Sequence, residues 1–163
     1  YADWLIRVFE RWYRAASKET DVRLFNDIIG LLLGRPAGTE NLGGAPLVSV
    51  VVETDGSVET SGALSSAYRA AAATGRSVAR HAFDDVLGLP GVVALQAGTD
   101  GLADACRACR LRAVCGGGLP AHRYRADNGL DNPSVYCPDL YCLIDHVRGT
   151  VERDIAALRG AIS

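Results

Sequence analysis

Cys106-Arg107-Ala108-Cys109-Arg110-Leu111-Arg112-Ala113-Val114-Cys115-Gly116-Gly117-Gly118 is the stretch on which the reading of this chain turns. Two thiols separated by two residues can grip one centre from a single tight turn. A third follows five residues later at Cys115, and a fourth, Cys137, after the intervening segment 116–136. Thiolates are soft donors that select zinc or iron–sulfur clusters over hard cations. Cys106, Cys109, Cys115 and Cys137 are therefore expected to hold one metal centre, a [4Fe–4S] cluster, with zinc as the competing occupant. Structural zinc sites also use Cys-x2-Cys knuckles, but more often as two pairs, whereas here the second half is the solitary Cys137.

The neighbours of these thiols suit a cluster. Gly116-Gly117-Gly118 has no Cβ to keep its backbone from approaching closely and aiming N–H groups at sulfur. Cys137 falls at the expected N-cap of the last helix, whose positive end favours ligated thiolates. Arg107, Arg110, Arg112, Arg123 and Arg125 could offset the thiolate charge, or could simply form a solvated face. Cys142 lies roughly 200° around that helix from Leu140, at ~100° per residue, and reads as a free thiol. His122 follows the glycine run as a ligand, a donor to the cluster or a structural residue; His81 and His146 read as surface or packing residues. Hydrolase and nucleotide-hydrolysing motifs are absent from the sequence.

Outward from the cysteines, Pro138-Asp139 opens the clearest element. Leu140, Leu143, Ile144, Val147, Val151, Ile155, Leu158 and Ile162 form its apolar stripe. Toward the N-terminus, Tyr1, Trp4, Leu5, Val8, Trp12 and Ala16 recur at helical spacing over residues 1–16. Asp21–Leu24 reads as a short strand, and Phe25 to Leu33 as an apolar helix stopped by Gly34 and Pro36. Arg35–Pro46 is a Gly/Pro/Asn-rich loop and the best candidate boundary. Leu47–Glu53 and Ser57–Thr60 flank Asp55-Gly56 as a β-hairpin that must lean on helices. Residues 67–73 read as a short helix or loop, and Phe83–Leu89 and Pro90–Ala97 as two short helices. The fold class is α+β and mostly helical: a small hairpin packed with helices, an irregular Cys-rich loop and a long C-terminal helix.

The 163 residues are 48% hydrophobic, with a formal charge of −2, enough for one domain with a modest core and without a basic field for nucleic acid. No apolar run approaches a membrane span. An odd count of five cysteines, three of them within ten residues, in an acidic chain favours a reducing, cytoplasmic setting over a disulfide framework. The chain begins with Tyr1, inside an apolar-periodic segment, contains no Met, and reads as a fragment or excised domain.

The Cys-x2-Cys-x5-Cys…Cys pattern resembles the SPASM domain, the C-terminal extension of many radical SAM peptide-modifying enzymes. Leu24–Ile29 with Leu31–Gly34, Val50–Ser57, Cys115–Gly118 with His122-Arg123-Tyr124, and Asn132–Cys137 resemble maturases of FxSxx-type and cyclophane-forming ribosomal peptide systems. Two departures stand out. Ser61 and Leu119 occupy positions where the family carries further cysteines, and the Cys-x3-Cys-x2-Cys motif that binds S-adenosylmethionine is absent. The resemblance implies residues 1–34 as the closing segment of a partial barrel and 47–163 as a SPASM-like domain with one surviving auxiliary cluster. Its partners would be an upstream radical SAM core, where S-adenosylmethionine would bind, and a precursor peptide. The cluster would then carry electrons or orient the peptide. The alternative is a zinc-stabilised, non-catalytic interaction module, and a weaker one a free-standing ferredoxin-like carrier.

Overall fold

The computed structural model describes residues 1–17, 19–36, 38–47 and 49–162, with the backbone alone for Ile162. Val48 of the expected strand, Ala37 of the expected loop and Ser163 at the end of the expected domain lie outside the described residues. The fold is α+β with a small three-stranded sheet and a long C-terminal helix.

Two N-terminal helices, α1 (Ala2–Tyr13) and α2 (Arg23–Leu32), pack against α7 (Cys137–Ile162), a helix of 26 residues. The shared core contains Phe9, Phe25, Ile28, Leu143, Ile144 and Val147, all essentially without solvent exposure. Burying each such side chain contributes about 1.5–3 kcal/mol. Phe9 is its aromatic hub, meeting Phe25 edge-on at 5.3 Å and Tyr13 in a stack at 5.1 Å. The buried face of α1 is Ala2, Leu5 and Phe9, which keeps Leu5 of the expected stripe but is rotated so that Val8 and Trp12 lie at the core edge and Tyr1 is exposed. Trp4 is 60% exposed, whereas Trp12 packs on the core edge and donates its Nε1–H to the Thr20 carbonyl at 2.8 Å. Phe9 lies one turn after Leu5 on the same buried face, whereas Trp4 projects about 100° around the helix from Leu5.

The expected strand at 21–24 does not form. Val22 is the extended residue before α2, Arg23 already begins the helix, and no neighbouring chain pairs with this segment. Gly34 ends α2 in the left-handed region at φ +83°, letting the Arg35 N–H reach the Gly30 carbonyl at 2.8 Å.

The sheet has the order β1 (Val51–Val52), β2 (Ser57–Glu59), β3 (Ala73–Ser77), antiparallel throughout. The hairpin turn falls at Asp55-Gly56 as expected. Gly56 has φ +79°, and the Asp55 carboxylate accepts the Ser57 N–H at 2.8 Å. β1 is far shorter than the expected 47–53. Leu47 turns its N–H to the Leu95 carbonyl at 3.1 Å, so the start of that run leaves the sheet. β3 was not anticipated: Ala70 adopts φ +65°, which breaks any helix through 67–73 and redirects the chain into a third strand. A bulge between Val58 and Glu59 bends the ladder.

Helices α3 (Phe83–Leu87) and α4 (Pro90–Gln96) cover one face of the sheet through Val58, Val86 and Val92. Both end before the expected residues 89 and 97, because Leu89 is extended ahead of Pro90 and serves as the entry to α4. A second small cluster joins Leu64, Ala72 and Leu95. The stripe of α7 is buried only from Leu143 to Val151. Leu158 is 64% exposed, so the last turns extend beyond the core, and the Ile162 side chain lies outside the described residues. Among the described residues no helix is long and apolar enough to cross a membrane.

Candidate metal centre

Three of the four thiols come from short consecutive elements, and the fourth from the start of α7. Cys106 lies in α5 (Asp104–Arg107), Cys109 in the following turn, and Cys115 at the end of α6 (Arg112–Cys115). α6 buries Val114, and Leu111 just before it is buried too; both join the core shared by α1, α2 and α7, with Cys109 and Cys115 packed on its edge. Cys137 is the first residue of α7 and not its N-cap. The Tyr136 carbonyl accepts the Leu140 N–H at 2.9 Å, which places Tyr136 at the cap and Pro138 still within the first turn.

All four thiols are half-buried, whereas Cys142 is exposed. Every pair among the four lies within electrostatic reach. Cys106 senses Cys137 and Cys109, Cys115 senses Cys137, Cys106 and Cys109, and Cys137 senses Cys109. Burial, followed by this mutual repulsion, raises the pKa of Cys106 and Cys137. For Cys115, the deepest, burial pushes it to about 11. Among the described residues, no three His, Cys, Asp or Glu side chains converge tightly enough to hold a single metal ion.

Backbone donors favour the thiolate form at two positions. The Leu111 N–H donates to Cys109 Sγ at 3.4 Å, and the Gly117 N–H donates to the Cys115 sulfur and opposes the effect of burial. Donation from Gly117 matches the expected role of the glycine run. Gly116 has another: at φ +60°, a Cβ there would stand 1.9 Å from the Gly44 nitrogen. The 43–44 loop lies directly on the thiol segment, fixed by the Gly43 N–H donating to the Val114 carbonyl at 2.9 Å.

The arginines divide. Arg107 pairs with Asp104 and donates to the Leu102 carbonyl at 2.7 Å. Arg110 reaches Tyr141 Oη at 2.6 Å and Asp145 at 3.0 Å, Arg112 donates to the Arg107 carbonyl at 3.4 Å, and Arg125 is exposed. These form the solvated face. Arg123 alone is buried, at 7% exposure, beside Cys106 and Cys115.

Of the histidines, His122 stacks edge-on with Tyr136 at 4.8 Å, and its carbonyl accepts the Val135 N–H at 2.9 Å, a structural placement. His146 meets Glu10 at 2.6 Å across the α1–α7 contact, and His81 lies against Ser77. Ser61 is buried and donates to Glu40 at 3.0 Å. Leu119 lines a largely apolar cavity of about 670 Å³ with Leu5, Leu24, Leu42 and Tyr136. A second cavity, of about 390 Å³, lies between Glu40, Gly44, Leu95, Gly116 and Arg123.

The donor set, the N–H groups aimed at sulfur and the buried arginine beside the thiols fit an iron–sulfur cluster, whose four ligands each bind a different iron. A tetrahedral zinc would instead draw all four sulfurs to about 2.3 Å from one centre.

No family model matches this sequence, and no curated protein matches it. Solved structures do resemble it. "Native anSMEcpe with bound AdoMet" superposes with a TM-score of 0.70 at 17% identity, over 93% of this chain and 41% of that one. "Native anSMEcpe with bound AdoMet and Cp18Cys peptide" gives 0.70 and 17% over 93% and 42%, and the corresponding Kp18Cys complex 0.68 and 16% over 93% and 41%. The chain thus spans about two fifths of the length of these structures, and at this identity the likeness is one of fold.

Proposed function

We propose that this chain is the auxiliary [4Fe–4S]-binding domain of a radical SAM enzyme that modifies a ribosomally made peptide of the FxSxx or cyclophane-forming type. The observation that carries the reading is the gathering of Cys106, Cys109, Cys115 and Cys137 in mutual electrostatic reach, on a fold shared with anSMEcpe. The structures of that protein hold AdoMet and a peptide, which supports a peptide as partner. Residues 1–34 would close the barrel of an upstream core, where S-adenosylmethionine would bind, and residues 47–163 would form the cluster domain of a cytoplasmic enzyme.

When bound, the cluster supplies one-electron transfer at a potential set by its surroundings. The chain's own residues do the rest. The thiolates of Cys106, Cys109, Cys115 and Cys137 would hold the cluster with one ligand each, which would leave no iron open to substrate. Leu111 and Gly117 hold the Cys109 and Cys115 sulfurs by their N–H groups. Helix α7 presents Cys137 from its positive end.

Anaerobic purification with iron, sulfide and zinc analysis tests this. The expected result is a brown chain with about four irons and four sulfides. One zinc per chain without sulfide would instead make it a zinc-stabilised interaction module.

A further inference from the structure

Arg123 is the buried cation that the mechanism leaves without a role. Its side chain is 93% buried and lies over Gly117, where a Cβ would come within 3.3 Å of Arg123 Cδ and 3.6 Å of Nε. Its Nε has no hydrogen-bond partner in the protein. Stranding a donor of a charged group in this way carries its full desolvation penalty, so the fold tolerates it only where something else accepts the bond. The thiolates of Cys106 and Cys115 are the charges that face it and favour its ionised form against the penalty of burial. Arg107, Arg110 and Arg112 are engaged with carboxylates, carbonyls and Tyr141 and cannot take its place.

From this arrangement we infer that Arg123 is a positioning residue for the cluster, its Nε–H donating to a sulfur at the Cys106–Cys115 side and its fixed charge stabilising the reduced state. A cluster held by four thiolates is an anion that becomes more negative when it takes up an electron. A buried cation with a directed N–H therefore favours reduction and raises the potential. The inference rests on the cluster reading above.

The test uses the full chain, reconstituted anaerobically and titrated with dithionite, whose electron reduces the cluster, while EPR follows the reduced form. In R123Q the reduction equilibrium constant is expected to fall about tenfold, a shift of about 59 mV to more negative potential for one electron. Iron and sulfide content should stay at the wild-type value. R123K, which keeps a charge but loses the fixed Nε–H, should shift in the same direction by less. Equal midpoints in all three proteins overturn the inference and leave the cluster assignment intact. If R123Q does not fold, R123K decides: a lower midpoint supports the donor role, and an unchanged one overturns it. A wild-type chain with zinc and no sulfide refutes the cluster reading itself, and the inference with it.

Discussion

The helical half of the molecule and its sheet half are built to different depths. In the first, α1, α2, α6 and α7 converge on one continuous core whose largest side chains are fully buried. In the second, three short strands and two short helices share two small clusters, one around Val58, Val86 and Val92 and the other around Leu64, Ala72 and Leu95. The thiol segment belongs to the first by packing, through Leu111, Val114, Cys109 and Cys115. The helical half should therefore set the geometry of the metal centre, with the sheet half as a dependent cover.

Substitutions in the two cores test that division. Ile144→Ala, a fully buried deletion in α7 about two turns after Cys137, should cost about 4 kcal/mol in urea unfolding and sharply reduce cluster occupancy. Gly116→Ala attacks the junction. The new Cβ would collide with the backbone of Gly44 at a positive φ, and no rotamer relieves it, so a loss above about 3 kcal/mol and poor metal uptake are expected. Val58→Ala in the sheet should cost about 1–2 kcal/mol and leave iron content at the wild-type level. Equal loss of iron from Val58→Ala and Ile144→Ala would erase the distinction between the halves.

Much of the helical half was legible in the sequence because its signals are long. The stripe from Leu140 to Val151 could belong only to a helix with one buried face. What failed there was rotation, not type: Trp4 and Phe9 are both apolar, and only the position of α7 decides that Phe9 enters the core. The sheet half was harder to read because its strands are two to five residues long. β3 in particular follows an Ala-rich run whose helical propensity is overridden by the positive φ of Ala70. At the candidate site the cysteine spacing singled out the four thiols that the fold brings within electrostatic reach of one another. It could not single out Arg123 among five arginines, since its burial beside Gly117 is a tertiary fact.

Two pH effects separate the same regions further. The thiols at the site must lose protons on metal binding, and burial holds Cys115 up at about 11. Reconstitution should therefore proceed faster as pH rises from about 7 to 9, followed by the growth of cluster absorbance. The smallest effect belongs to the α1–α7 contact. Arg14 and then His146 lower the pKa of Glu10 from its ordinary value of 4.5. Its contribution to stability is thus present above that value and lost as pH falls through the lower folded one. The side chain is 29% exposed, so Glu10→Gln should cost less than about 1 kcal/mol at pH 7 and nothing at pH 3, compared by urea unfolding.

The most direct test of the four-thiolate centre is EPR of the dithionite-reduced chain in single Cys→Ala variants at all five cysteines. Loss or clear alteration of the wild-type cluster signal at positions 106, 109, 115 and 137, with an unchanged signal for Cys142→Ala, is the expected result. A wild-type signal surviving in any of the four, or vanishing with Cys142, would contradict the assignment.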